Sequence, residues 1–491
     1  MAKTDKRHKK RINLKPFLYF FVFAIPIFSY FFFVLHYTNS FMLSTDGYAY
    51  IWFWNILLSG KFLHLQLITP SPLLVFLYGL LATPNLLWIE LLKVLFMFFM
   101  GYGIFKLTLR ITKNHILSLF GEILFFILPF TIKNMAFGTD IFIAATFIIW
   151  SLYFYIEEHF YLTSLLLLLG GLTRQEVWIV ALFLILHSII AYKKCKCALL
   201  LALLSPLLWL GFDFFLSHDP FYSFKVLGYY FSITGGPMLT SKQVITGIYN
   251  TLKTSYSVYI LITLLLTLLF SFIKRRYETI LLATLSIVLM LTISLISIYT
   301  GFFSPRQVFI PIMPVLLLIP FFTESILSFA HPLLSYIVFF SLITISFYAL
   351  KNTYRNIKFG VIEEKNKEEA AREMAPQVSV ISDKRVLMPY RRIGMFSYLN
   401  GKDYEGNIFN EFDLLRKKIS ITHLDYIVFI SDDFDPLSKD ILTPILPKNT
   451  EKDKVIRNIV IQNLYTTPNG LGKIFKIFVS KETQKDQTTQ E

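Results

Sequence analysis

The chain has 491 residues, 55% of them apolar and only 16% charged, with 51 Phe. Ordinary soluble domains carry roughly 25% charged residues, so this composition excludes a water-solvated fold for most of the chain and points to lipid as its solvent. The formal charge of +15 does not mark a nucleic-acid binder, because its distribution follows membrane sidedness instead.

Residues 1–16 form a basic tail, and an apolar run over 17–36 follows without a small-residue cleavage site, which reads as a retained anchor. Further apolar runs of spanning character lie at 86–105, 116–132, 138–156, 161–173, 177–192, 198–217, 257–273, 279–300, 307–322 and 333–350. The apolar segment 72–83 is too short for a straight crossing and is expected as a half-helix. With the N-terminus cytoplasmic and eleven crossings, sixteen Lys and Arg fall in the inner segments and seven in the outer ones, although the outer ones are longer. Counting 72–83 as a crossing would put the basic runs 193–197 and 274–276 outside, against the positive-inside rule.

After residue 350 the texture changes. Residues 351–491 hold 23 Lys and Arg and 20 Asp and Glu, the mixture of a solvated surface. Residues 363–374 are expected as an exposed helix with opposite charges three and four apart. Short apolar runs at 386–389, 426–430 and 473–479 are expected as strands of a small α/β domain. An odd number of crossings puts that domain outside the cytoplasm. The expected organisation is thus a tail (1–16), a transmembrane domain (17–350) with large outer loops at 37–85 and 218–256, and a C-terminal soluble domain (351–491). Such a chain resides in the plasma or inner membrane. The two cysteines, Cys195 and Cys197, share one basic turn and offer neither a disulfide framework nor a zinc site.

Only twelve acidic residues precede position 351. Glu90, Lys93 and Glu122 lie within spans, and the first two, three apart on one helix, can neutralise each other. Five others, Asp46, Asp140, Glu176, Asp213 and Asp219, fall at or near the outer face, joined there by Arg174 and Arg306. Scarce ionisable groups gathered at one interface mark a functional site, although loop charges also sit where water is. Asp46, in Ser-Thr-Asp-Gly-Tyr-Ala-Tyr (44–50), suits deprotonation of an acceptor hydroxyl or amine, and equally suits a helix N-cap. Arg174 suits a lipid phosphate, and equally a salt bridge with Glu176. The same pair of readings holds for Arg306, which heads the 308–314 segment.

On these residues the sequence resembles the GT-C glycosyltransferases, in particular the bacterial polyprenyl-phosphate-sugar transferases related to protein O-mannosyltransferases and aminoarabinose lipid A transferases. Asp46, Tyr48 and Tyr50 match an Asp-x-Tyr-x-Tyr pattern in the first outer loop. Leu-Leu-Ser-Gly-Lys (57–61) and Thr-Pro-Ser-Pro-Leu (69–73) stand where that family has Asn-Leu-Leu-x-Gly and His-Pro-Pro-Leu. Leu-Thr-Arg-Gln-Glu (172–176) matches Leu-x-Arg-Pro-Glu, with Gln175 in place of Pro. His-Asp-Pro-Phe-Tyr-Ser (218–223) and Ser-Pro-Arg-Gln-Val-Phe-Ile-Pro (304–311) resemble two later motifs, so the likeness runs in order over 15–350. It implies an α-helical polytopic membrane fold of eleven or twelve transmembrane helices with a small extracytoplasmic α/β domain. It implies further a transferase moving a sugar from a polyprenyl phosphate to an extracytoplasmic glycan, lipid or protein. Asp46 would be the base or the acceptor-orienting carboxylate. Tyr48, Tyr50, Asp140, Glu176 and Asp219 would bind substrate, with Arg174 and Arg306 on the donor phosphate. Metal use varies in the family, so no cofactor is expected, with a divalent metal left open.

Two other readings compete. A lipid or solute transporter would show repeats and mid-membrane polar sites, and no repeat is visible. A nucleotide-sugar transferase would use Ser-Asp-Asp-Phe-Asp (431–435) as a metal site, but the C-terminal domain is too small for that fold.

Overall fold

A computed structural model describes residues 15–29, 45–60, 71–82, 86–128, 131, 134, 140–192, 197–226, 239–300, 308–327, 362–401, 408–409, 420–430, 442, 445–447, 453–456 and 459–479. The first helices are α1 (Lys15–Ser29), α2 (Thr45–Ser59), α3 (Pro72–Ala82), α4 (Leu87–Thr112) and α5 (His115–Ile127). There follow α6 (Asp140–Ile156), α7 (Phe160–Gly171), α8 (Glu176–Tyr192), a 3-10 turn (Cys197–Leu203) running into α9 (Leu204–Ser217), and α10 (Ser241–Lys274). The last helices described before residue 351 are α11 (Tyr277–Thr300), α12 (Phe309–Leu316) and α13 (Ile319–Leu327). The expected span 333–350 lies outside the described residues.

Among the described residues, three helices are long and apolar enough to cross a membrane by length and composition: Leu87–Thr112, Cys197–Ser217 and Tyr277–Tyr299. At 1.5 Å per residue, the 26 residues of α4 extend about 39 Å, more than the roughly 30 Å of a hydrocarbon core. The 11 residues of α3 extend only about 17 Å, in keeping with a half-helix. Proline breaks the segment after position 307 into α12 and α13: Pro314 lies inside α12 and Pro320 at the start of α13. The second outer loop is less of a loop than its charge suggests. Thr240 and Gln243 form a capping box, and α10 runs unbroken from there for 34 residues.

The chain reverses between α4 and α5 at Lys113, in the left-handed region (φ 54°), and Asn114 then caps α5 by accepting from the Ile116 and Leu117 amides. That corner is one of several ends gathered at one extremity of the bundle. There Arg110 pairs with Glu157 at 2.6 Å, and Arg276 donates to the Ile111 carbonyl at 3.2 Å. All four positions fall in or beside segments that the charge count assigns to one side. The opposite helix ends also meet one another, as described below.

In the C-terminal part, a helix over 362–380 (α14) and α15 (Tyr390–Asn400) accompany a six-stranded sheet ordered β2-β1-β3-β6-β5-β4. The strands are β1 (Val386–Leu387), β2 (Ile408–Phe409), β3 (Tyr426–Ile430), β4 (Asp453–Ile456), β5 (Ile459–Thr466) and β6 (Gly472–Val479). β1 pairs in parallel with β2 and β3, and the pairs from β3 through β6 and β5 to β4 are antiparallel. The three expected strands are present; β2, β4 and β5 were not foreseen. Alternation places Val428 and Ile430 in one core with α14, α15 and α2, while Ile427 belongs to a second core with Leu442 and Leu446 on the other face.

Helix α14 corrects one expectation. Its ion pairs form as the spacing predicts, Glu363–Lys367 at 2.9 Å and Glu368–Arg372 at 2.7 Å. Yet the helix is not exposed all round, because Ala370, Ala371, Met374, Ala375 and Val378 are buried. Their three- and four-residue spacing makes a continuous apolar stripe, and that stripe packs into the core containing Tyr48, Ala49 and Phe53 of α2. Contact between α2 and α15 is equally close: a Cβ on Gly394 would lie 2.8 Å from the Tyr48 carbonyl oxygen and 2.9 Å from Ala49 Cα.

Candidate functional site

The helix ends opposite the Arg110–Glu157 corner surround a cavity of about 380 Å³. Tyr50 of α2, Ser71 before α3, Asp140 at the start of α6, and Thr173 to Glu176 at the α7–α8 corner line it, with Trp178, Trp209 and Phe224. The α7–α8 corner is built from its own backbone. Arg174 N donates to the Gly170 carbonyl at 2.9 Å, and Thr173 Oγ1 donates to the same oxygen. The first outer loop is fastened to that corner, since Ser71 Oγ and Leu73 N both donate to Leu172 O at 3.1 Å.

Arg174 stands at the centre of the charged groups. Its Nη1 donates to Asp140 Oδ2 at 2.8 Å, and its Nε and Nη2 grip the two carboxylate oxygens of Glu176 at 3.0 and 2.5 Å. All three side chains are 17% exposed. Three of the five guanidinium N–H groups are thus engaged, leaving two. The cluster carries one more carboxylate than cation. The salt bridge with Glu176 thus exists, and Arg174 is also one of the residues lining the cavity.

Two indoles form a rigid wall. Trp178 and Trp209 meet edge to face, with centroids 5.8 Å apart. Trp178 Nε1 donates to the Gly171 carbonyl and Trp209 Nε1 to Ser223 Oγ, both at 3.0 Å. Ser223 is in turn held by Asp213, which accepts from its amide at 2.9 Å and its hydroxyl at 2.8 Å. Asp213 is fully buried, so it braces Ser223 and, through it, the indole; it is not a wet outer charge. Trp178, Trp209 and this brace escaped the sequence reading, because indoles in an apolar chain look like any other lipid-facing residue.

The remaining expected site residues separate. Tyr48 points away from the cavity into the C-terminal part: its hydroxyl donates to Glu368 Oε1 at 3.1 Å and accepts from Arg372 Nη2 at 3.0 Å. Burial, with the Glu368 carboxylate beside it, pushes the Tyr48 hydroxyl well above the usual phenol range. Its place beside α14 corrects the expectation of a substrate contact; Tyr48 joins two parts of the fold. Asp219 does not line the cavity either. It pairs with Lys225 at 2.5 Å and accepts from Phe221 N at 3.0 Å, closing a local turn. The Lys225 hydrogen bond holds its carboxyl below the usual range, against a small opposing effect of burial. Asp46 lies in the first turn of α2, one residue inside its start at Thr45, so the backbone gives it a helical place and not the N-cap place. Its side chain, Arg306 and the acidic run 431–435 lie outside the described residues. Near the start of α4, Lys93 Nζ meets Glu90 Oε1 at 2.5 Å, the mutual neutralisation expected of them.

No family model matches the sequence, and no curated protein matches it. Solved structures do share its fold. The archaeal oligosaccharyltransferase AglB from Archaeoglobus fulgidus, in complex with an inhibitory peptide and a dolichol-phosphate, aligns with a TM-score of 0.53 at 11% identity, over 95% of this chain and 75% of that one. ArnT from Cupriavidus metallidurans in the apo state aligns with a TM-score of 0.57 at 10% identity, over 94% of this chain and 98% of that one. Both are GT-C superfamily members, and this chain shares with them the helical polytopic architecture that the motifs implied, and carries a small C-terminal sheet of its own.

Proposed function

We propose that this chain is a membrane glycosyltransferase that moves a sugar from a polyprenyl-phosphate donor to an acceptor outside the cytoplasm. One observation carries the reading: on a GT-C fold, the helix ends on one side converge on an indole-walled cavity holding a half-buried Asp140–Arg174–Glu176 cluster. Buried charge of this kind is expensive away from water, and a cavity lined by it is the natural place for polar chemistry at a membrane surface. That a relative by fold was solved with a dolichol-phosphate and a peptide supports a lipid-linked donor.

In this reading the acceptor hydroxyl or amine attacks the anomeric carbon as Asp46 takes its proton. The bond from that carbon to the phosphate oxygen breaks, and the phosphate leaves with the negative charge. The two remaining N–H groups of Arg174, together with Arg306, stabilise that charge. Along the backbone of α2, Asp46 lies one helical turn before the cavity residue Tyr50. The Lys and Arg count supports a cytoplasmic N-terminus and an extracytoplasmic cavity face, and α2, which supplies Tyr50 to the cavity and Tyr48 to α14, puts the C-terminal helix on that same face. No metal is assigned a step.

The test is transfer by purified protein in proteoliposomes supplied with polyprenyl-phosphate sugars. The variant Asp46→Asn is expected to lose roughly 10²–10⁴-fold in rate, the usual contribution of a general base, with membrane insertion intact. Near-normal transfer by that variant removes Asp46 from the reaction. Substrate accumulation without any glycosyl product identifies a transporter instead.

A further inference from the structure

Ser223 joins a buried carboxylate to the wall of the cavity. Trp209 and Asp213 lie one turn apart on the same face of α9, and both are buried, as is Ser223. The Asp213 carboxylate accepts from the Ser223 amide at 2.9 Å and from the Ser223 hydroxyl at 2.8 Å. With its proton directed at Asp213, the hydroxyl oxygen is left as an acceptor, and it takes the Trp209 Nε1–H at 3.0 Å. The same clasp holds a second wall. Phe224, next in the chain, lines the cavity, while Tyr222 and Val226 on either side are buried in the core that contains α2. Trp178 completes the set, its ring centroid 5.8 Å from that of Trp209 and 6.3 Å from that of Phe224. Both indole N–H groups bond to protein, to Gly171 O and Ser223 Oγ. This wall therefore offers the cavity rings and no donors.

We infer that Ser223 is a positioning residue for the transferred sugar: held by Asp213, it sets the angle of the Trp209 indole, and the rings of Trp178, Trp209 and Phe224 receive the C–H face of that sugar. This deepens the proposed glycosyl transfer and rests on it. The cavity lining is mixed, with Asp140, Arg174 and Glu176 beside the three rings, which suits a molecule that has hydroxyl edges and an apolar face. The C–H bonds of a sugar ring are drawn to the negative face of a π-system, and that attraction depends on the angle of the ring. A polyprenyl chain makes no such demand. Ile179, Ile293 and Ile296, which also line the cavity, serve a chain without any hydrogen bond to aim them. A buried carboxylate costs free energy, and what Asp213 secures is the orientation of one indole and the segment beside it.

The test measures binding of radiolabelled decaprenyl phosphate, decaprenyl-phosphate glucose and decaprenyl-phosphate N-acetylglucosamine to the full chain in detergent. Ser223→Ala removes the hydroxyl and keeps the amide bond to Asp213; Trp209→Phe keeps a ring without its N–H; the double variant combines them. The expected result for Ser223→Ala is a loss of about two- to tenfold in affinity for at least one sugar-bearing lipid, the scale of one neutral hydrogen bond, with decaprenyl phosphate unaffected. In the Trp209→Phe background the same change should cost nothing further, because Ser223 acts through the indole. Equal weakening toward all three lipids assigns the rings to the prenyl phosphate and overturns the sugar contact. Additive losses in the double variant, or unchanged affinity in Ser223→Ala, overturn the positioning role. If Ser223→Ala fails to elute at the wild-type position in size exclusion, Trp209→Phe carries the test alone, and unchanged affinity there overturns the proposal. Failure of the wild type to bind any of the three lipids sinks the lipid-linked donor itself, a different failure from the loss of one contact.

Discussion

The two ends of the helix bundle hold similar ion pairs in opposite surroundings. At one end Arg110 and Glu157 meet at 2.6 Å with 40% and 33% of their side chains exposed. At the cavity end Arg174 meets Asp140 and Glu176 at like distances, each only 17% exposed. An exposed pair gains little, because water already solvates both partners. A buried one is expensive to assemble and more expensive to break, because the abandoned partner stays desolvated. The first is ordinary sidedness; the second is charge retained where hydrophobic packing would have been simpler.

The sharpest way to break that contrast is Arg174→Met. It leaves two carboxylates facing each other in the cavity, and a loss of about 3–5 kcal/mol in stability is expected, read as a large fall in the thermal midpoint in detergent. Adding Asp140→Asn and Glu176→Gln to the same chain should recover most of the stability but no transfer. Stability that stays at the wild-type level in the single variant would mean that the cluster is wet and the contrast false. A smaller loss, about 1–3 kcal/mol, is expected for Gly394→Ala. The new Cβ would meet the backbone of Tyr48 and Ala49, which cannot rotate aside, so α2 or α15 must shift. Because α2 carries Tyr50 to the cavity, transfer should fall along with stability. A fully stable and active variant would show that the C-terminal helices do not bear on α2. Arg110→Gln stands at the weak end, with under about 1 kcal/mol expected and no change in transfer.

The sequence revealed the cavity cluster because two constraints act together: few charges are present, and the span count puts Asp140 and Arg174–Glu176 on one side. It misled at Asp213 and Asp219, which share that side. Nothing local distinguishes a carboxylate that faces water from one that holds Ser223 ten residues onward, or from one that closes a turn with Lys225. Tyr48 was assigned to the substrate with Tyr50, although α2 turns the two apart and Glu368 and Arg372, more than 300 residues away, claim the first. In the C-terminal part the apolar strands announced themselves. β5 did not, because Gln462 and Asn463 interrupt it on a sheet whose outer half is only partly covered. The buried stripe of α14 was visible as Ala371, Met374, Ala375 and Val378, but its flanking charges drew the reading toward solvent.

The same contrast between exposed and buried pairs extends to pH through Asp425. Its carboxylate accepts from Arg385 Nη2 at 3.2 Å and from the Arg385 backbone amide at 3.0 Å, tying the start of β3 to the residue before β1. Partial burial raises the carboxyl's affinity for a proton, but those Arg385 bonds and charges outweigh it and hold the group below its usual range. A carboxyl whose pKa is lowered by folding stabilises the fold above the unfolded value of about 3.9. That contribution fades as pH falls through the lower, folded value. Half of the Arg385 side chain is exposed, so solvent screening keeps the effect to a fraction of the about 1 kcal/mol typical of surface pairs. Asp425→Asn should therefore lower the melting temperature slightly at pH 7, and the difference from wild type should shrink as the pH falls below about 3.9. Melting curves taken from pH 7 down to pH 2.5 read this directly. A difference that persists unchanged at the acid end would assign the Asp425 effect to packing at the β1–β3 edge, with no part for its charge.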